Sequence, residues 1–241
     1  MAVPLFIPDQ HDRELVIATD NAGAIGRKCD DQVQVPYSIV AEALFRVAIM
    51  DTLAVGAAPF AVNVMNFAGD DVWPELEESI TEQCRSLDFE LPITGSTESN
   101  FSMNQSAVGL SVIGTVSSQD KKVGCSFEGC GVALIGEPLV GEEVIHSAEK
   151  VAPLDLFVSL TQQDWVHEIL PVGSKGIDGS LKELEKRNAW KPHEWTVPFD
   201  RNKSGGPSTS FLITYDLERD LNLLKLAGGY VTVLGYQVRE R

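Results

Sequence analysis

The sequence predicts a mixed α and β fold in two halves, and three observations carry that prediction. Short apolar runs bounded by glycine, proline and polar clusters recur, as in ELVIAT (14–19), FAVNVMNF (60–67) and AVGLSVIGTV (107–116). Longer helix-like stretches lie between them, at 38–55 and 71–87. Composition is that of a packed globular chain, 44% hydrophobic and 22% charged over 241 residues, with no internal repeat.

The run 14–19 reads as a strand that delivers Asp20 to a Gly-rich turn, NAGAIG (21–26). The stretch SIVAEALFRVAIMDTLAV (38–55) holds no Gly or Pro and reads as a largely buried helix, stopped by Gly56 and Pro59. A strand at 60–67 follows. Residues 71–87 form an amphipathic helix, with Val72, Leu76, Ile80 and Cys84 four apart on one face. PITGSTESN (92–100) is a strand edge running into a polar loop, and 107–116 is a further strand. Strand–helix–strand–helix–strand–strand is an α/β or α+β module.

A polar stretch at 117–131 is a hairpin or a link to the second half. There, strands are expected at 132–136, 211–215 and 230–236, with a helix at 217–226. Two Gly/Ser clusters stand out, PVGSKGI (171–177) and KSGGPST (203–209).

The formal charge of −16 argues against nucleic-acid and anionic-membrane partners, which need clustered Lys and Arg. Such acidity suits carboxylates that hold divalent cations, and equally suits ordinary solubility. No segment reaches the length of a membrane span. The start, MAVPLFIPDQHDRE, lacks the basic and apolar regions of a secretory signal. Cys29, Cys84, Cys125 and Cys130 are unevenly spaced, as reduced thiols are, and a cytoplasmic location is expected.

Several constellations can carry chemistry. Asp20 beside a Gly-rich turn can hold Mg²⁺ next to a phosphate, or can simply form a turn. Asp51 lies in an otherwise apolar helix; a buried carboxylate there needs a metal, a partner such as Arg46, or a helix break that it caps. In TGSTESN (94–100) six of seven side chains are polar, fit for a metal or a ribose, or for a solvated loop. Lys203-Ser204-Gly205-Gly206, with Asp200 upstream, offers two glycines for close approach of phosphate, and Lys175 has a similar setting. Neither cluster has P-loop spacing. His11, His146, His167 and His193 form no H-x-x-x-H pair, and no G-x-S-x-G elbow is present.

Taken in order, ATDNAGAIG (18–26), RVAIMDTLAVGAAP (46–59) and TGSTESN (94–100) resemble the N-terminal half of the aminoimidazole-ribotide-synthetase-like (PurM-like) superfamily. That superfamily includes thiamin-monophosphate kinase, selenophosphate synthetase and the hydrogenase maturation dehydratase. Its members show a D-G-x-G loop, an N/S-D-L-A-A-M-G-A-x-P helix end and a G-G-D/E-T loop. DRNKSGG (200–206) before FLITY, and the closing AGGYVTVLGYQV, are similar to its second-half motifs. The runs VIATDNAGAIG, VPYSIVAEALFRVA and PITGSTESNFSMNQSAVG look like the α-ribazole kinase-like branch. Selenophosphate synthesis is excluded by the lack of a Cys in a glycine-rich stretch before Asp20.

The resemblance implies an α+β fold. A mixed-sheet N-terminal ATP-binding domain (1–130) dimerises, and a reduced α/β C-terminal domain (131–241) follows. It further implies ATP and Mg²⁺ as cofactors, with Asp20, Asp51 and Glu98 on the metal and Asn21, Gly23, Thr97, Ser99, Lys175, Lys203, Ser204, Gly205 and Gly206 around the nucleotide. Two departures count: Ser96 replaces the acidic residue of G-G-D/E-T, and Thr94 replaces its first glycine. The activity expected is phosphorylation of a small molecule, the 5′-hydroxyl of α-ribazole, with no catalytic base assigned. An amide-activating ligase or dehydratase, or a non-catalytic nucleotide-binding homodimer, are the alternatives.

Overall fold

The structure, a computed structural model, describes residues 4–9 and 12–237, so His11 and part of the N-terminal stretch just discussed lie outside the described residues. The chain divides into two compact units, one of residues 2–53 and 57–120, the other of 54–56 and 121 onward. Among the described residues no helix is long and apolar enough to cross a membrane.

The first unit is a five-stranded mixed sheet packed with helices. Its elements are β1 (Leu5–Pro8), β2 (Arg13–Gly23), the short β3 (Ile25–Gly26) and β4 (Val33–Gln34), α1 (Tyr37–Ala54), β5 (Ala58–Asn66), α2 (Trp73–Ser86), β6 (Ile93–Thr97) and β7 (Ala107–Ser117). Strand order is β1-β2-β7-β5-β6. Within this sheet, among the described residues, β5 and β6 are the parallel pair, because α2 returns the chain between them; β3 and β4 pair separately, also in parallel. The period-two alternation of strands gives the sheet two faces. One carries Val16 and Ala18 of β2, Val108, Leu110 and Val112 of β7, and Val62 and Val64 of β5, all buried.

Helix α1 packs against that face. A side chain at Gly114 of β7 would meet Thr52 of α1, and α1 buries Val40, Leu44, Phe45, Ile49 and Met50. Its first turn is secured from α2, whose Glu75 carboxylate accepts the Ser38 amide at 3.1 Å. Gly56, at φ 80°, follows its end. Along α2 the residues Val72, Leu76, Ile80 and Cys84 are buried, as their spacing predicts.

In the second unit, β8 (Gly131–Ile135), α3 (Glu143–His146), α4 (Leu154–Thr161), β9 (Val166–Pro171), α5 (Gly176–Arg187), β10 (Phe211–Tyr215), α6 (Asp220–Ala227) and β11 (Val231–Tyr236) follow in order. The strands form an antiparallel sheet ordered β11-β8-β10-β9. Val132, Leu134, Leu170, Leu212 and Leu234 of the sheet bury themselves against Ile177, Leu181 and Leu184 of α5 and against Trp195. Strand β9 and helix α5 are absent from the sequence reading. The strand carries His167 and Glu168 where an apolar run is expected, and the helix opens with two glycines in four residues.

Two local expectations are corrected. Asp20 does not end a strand before a turn: β2 continues through Asn21, Ala22 and Gly23, laddered against β7 down to Gly23↔Ala107. Thr94 to Thr97 are not loop but strand, paired with Asn63 to Asn66. In both places pairing with a neighbouring strand overrides a composition of Gly, Ala, Ser and Thr that reads as turn.

Candidate functional site

In the first unit the expected residues sit on different elements. Asp20 pairs with Leu110, which pairs with Val64, so the aspartate projects on the same face as the buried Val16 and Ala18. It is half-buried there. Burial pushes its pKa up, and the Asn21 amide offsets part of that rise. Asn21 itself is exposed on the opposite face. At Gly23 a side chain would meet nothing within 4 Å, so packing gives this position no reason to be glycine.

Asp51 is buried inside an unbroken α1, which overturns the helix-break reading. Asp51 and Arg46 both have interaction partners in the fold, and burial lowers the Arg46 pKa to about 10. Thr97 ends β6, held by Asn66 Nδ2 at 3.1 Å from its Oγ1. Glu98 begins the loop: its amide donates to Asn66 O at 2.8 Å, and its Oε1 accepts the amides of Asn100 and Phe101. Ser99 is exposed.

Strands β2 and β6 are separated by β7 and β5. Three strand spacings make about 14 Å along the sheet between Asp20 and the β6 end. Among the described residues, no three His, Cys, Asp or Glu side chains converge as a metal cage.

Sequence reasoning missed three residues that shape this region. Asn66 is 1% exposed at the end of β5; its Oδ1 takes the Ala68 amide and its Nδ2 reaches Gly69 O. A buried-face asparagine closing FAVNVMN was the signal available. Asp31 accepts Ser106 N, Ser106 Oγ and Lys28 N at 2.7–2.8 Å, and Tyr37 Oη lies 2.7 Å from Ser106 Oγ. Lys28 Nζ donates to Met103 O at 2.9 Å and to Phe67 O at 3.4 Å.

In the second unit the glycine clusters serve the fold. A Cβ at Gly205 would lie 2.3 Å from Val172 O, and one at Gly206 2.4 Å from Leu139 O, so both glycines admit neighbouring backbone. Lys203 pairs with Glu143 at 2.8 Å and holds that carboxyl below its ordinary pKa. Ser204 Oγ accepts the Gly206 amide, and Asp200 Oδ1 accepts the Asn202 amide. Lys175 stands exposed at the start of α5. Elsewhere in this unit, Glu168 is fully buried. Its carboxylate accepts the Gly124 and Ser126 amides, the Ser126 hydroxyl and Asn188 Nδ2, which satisfies a charge that would otherwise be costly.

No family profile matches the sequence, and no curated protein is detectably similar to it. Solved structures do match. Thiamine-monophosphate kinase from Stenotrophomonas maltophilia K279a aligns over 97% of this chain and 85% of its own, at 12% identity and TM-score 0.65. T. maritima PurL complexed with ATP aligns over 95% of this chain at 16% identity and TM-score 0.64; the match spans 41% of that longer chain. AaThiL complexed with AMPPCP and TMP aligns over 99% of this chain and 85% of its own, at 13% identity and TM-score 0.60. The chain has the aminoimidazole-ribotide-synthetase-like fold, α+β with a mixed sheet in its first unit.

Proposed function

We propose that this chain is an ATP-dependent small-molecule kinase whose acceptor is the 5′-hydroxyl of α-ribazole. The observation that carries the reading is a fold held in common, over nearly the whole chain, with a thiamine-monophosphate kinase. Neighbours solved with ATP, ADP or AMPPCP support an adenine nucleotide as the phosphoryl donor. The motif runs at 16–26, 35–48 and 92–109 support the α-ribazole branch.

Phosphoryl transfer asks the protein for positioning and charge neutralisation more than for covalent chemistry. Magnesium takes one or two carboxylates and completes its shell with phosphate oxygens and water. A half-buried carboxylate such as Asp20, its pKa raised by burial and only partly offset by the Asn21 amide, would suit that demand. Asp20, Asp51 and Glu98 are the proposed metal contacts, without all three meeting on one ion. When bound, the ion would offset charge on the phosphates. Gly23, with open space beside it, would admit the nucleotide close to β2, next to Asn21. Thr97 and Ser99 would orient a hydroxyl. Lys175 and Lys203 are the proposed phosphate contacts of the second unit, beside Ser204, Gly205 and Gly206.

A homodimer through the first unit's sheet is part of the proposal. Leu5 and Ile7 of β1 are exposed on the face opposite the buried one, in register with Ile17 and Leu15.

Single-turnover incubation with Mg-ATP and α-ribazole is expected to give a phosphomonoester. Asp20→Asn should slow it about 100-fold or more, the scale on which one electrostatic group acts. Ser96, standing where the superfamily carries an acid, favours a second reading, a non-catalytic nucleotide-binding homodimer. Nucleotide binding with no turnover of any nucleoside or amide acceptor would decide for it, and a new C–N bond or a nitrile from an amide acceptor would decide for a ligase or dehydratase.

A further inference from the structure

We infer that Phe67, Phe101 and Met103, with the depression beside them, bind the flat base and sugar of a nucleoside acceptor, a role that rests on the kinase reading above. Phe101 is 78% exposed, Phe67 43% and Met103 40%. Single exposed apolar side chains are ordinary; here the backbones of Phe67 and Met103 meet at one ammonium group, and Phe101 stands two residues before Met103.

The lock is built from named contacts. The Glu98 amide on Asn66 O fixes the loop to the end of β5, next to Phe67. The Glu98 carboxylate then turns the loop by accepting the Asn100 and Phe101 amides at 2.7 and 3.3 Å. Lys28 Nζ bridges the carbonyls of Phe67 and Met103, tying the two segments to one ammonium group. Beside Met103, the residues Asp30, Ser102, Asn104 and Gln105 line a shallow, open depression of about 430 Å³.

Charge selects the ligand class. The cations here are committed: Lys28 to two carbonyls, and Arg27 to Glu75 and to the Tyr37 ring, 5.0 Å from its centroid. The remaining ionic groups, Glu98, Asp30 and Asp31, are acidic, so a phosphate that brings no cation is repelled. A ligand with a flat apolar ring and neutral hydroxyls fits both parts. Its ring would lie on Phe67, Phe101 and Met103, and its hydroxyls would meet the carboxylate, hydroxyl and amide groups of the depression. Aromatic side chains hold nucleobases in this way because every base has a π-face.

Calorimetric titration of α-ribazole, inosine and ribose 5-phosphate into wild type, Phe101→Ala and Phe101→Trp tests the site. Mg-ATP affinity and sedimentation mass are measured alongside. At least one nucleoside should bind wild type, weaken tenfold or more in Phe101→Ala and recover in Phe101→Trp, with Mg-ATP affinity and mass unchanged. Ribose 5-phosphate should not discriminate among the three proteins. Binding of inosine but not α-ribazole, with the same response to Phe101, keeps this site and removes α-ribazole as acceptor. Phosphorylation of α-ribazole that Phe101→Ala leaves untouched keeps the kinase and overturns the site. No nucleoside binding to wild type overturns it too, and so does a change of mass in Phe101→Ala, which would assign the patch to a second copy of the chain.

Discussion

At Asp31 a buried carboxylate closes the segment between β3 and β4 onto the residue that precedes β7. Burial by itself would raise its pKa, but hydrogen bonds from Ser106 Oγ, Ser106 N and Lys28 N, with the charge of Lys28, outweigh it and hold the pKa below the ordinary value. A depressed folded-state pKa gives stability that is present above the unfolded value, about 3.9, and is lost as pH falls through the folded one. Asp31→Asn should therefore cost about 1–2 kcal/mol at neutral pH by urea unfolding. The gap to wild type should narrow below about pH 4. A gap of the same size at pH 3 and pH 7 would show that the charge contributes nothing. Residues of this kind are hard to read from sequence. In RKCDDQVQ nothing separates Asp31 from Asp30, and the partner that does, Ser106, lies 75 positions away. Asp20 and Asp51 were legible because each interrupts an apolar run. Their pairing partners and facing directions depend on β7 and on the course of α1, which no local pattern encodes.

The elements divide along similar lines. Helix α1 is legible from a long apolar run free of Gly and Pro, α2 from its 3.6-residue periodicity, and β5, β7 and β10 from apolar runs with clear boundaries. The last three residues of β2 and all but the first residue of β6 are written in Gly, Ala, Ser, Thr and Asn, and only their neighbours make them strands. The KSGG cluster is the most instructive case, since a phosphate loop and a packing junction use the same glycines. Here the Gly205 amide donates to Gly173 O, and its Cα abuts Val172 at the exit of β9. Gly205→Ala places a Cβ against a backbone oxygen that has no flexible side chain to yield. It should lower stability by about 1–3 kcal/mol in denaturant unfolding without any ligand present. Unchanged stability with weakened nucleotide binding would show that Gly205 serves the proposed phosphate contact and not the packing.

For the whole molecule, two features act on self-association in opposite directions. The sheet face of the first unit that carries exposed Leu5 and Ile7, with half-buried Leu15 and Ile17 beside them, favours pairing by removing apolar surface from water. The formal charge of −16 on each chain opposes it, because two like-charged bodies repel over about 8–10 Å at moderate ionic strength. A dimer built on this face should therefore tighten as sodium chloride rises from about 20 to 300 mM, since screening weakens the repulsion and leaves apolar contact intact. An assembly held by ion pairs would loosen over the same range. Leu5→Lys with Ile7→Lys should give a single-chain mass by sedimentation velocity at every salt concentration. Monomer stability should move by no more than about 0.5 kcal/mol, because both are exposed surface positions. If wild type is a dimer and the double variant sediments as it does, the partner copy does not sit on this face.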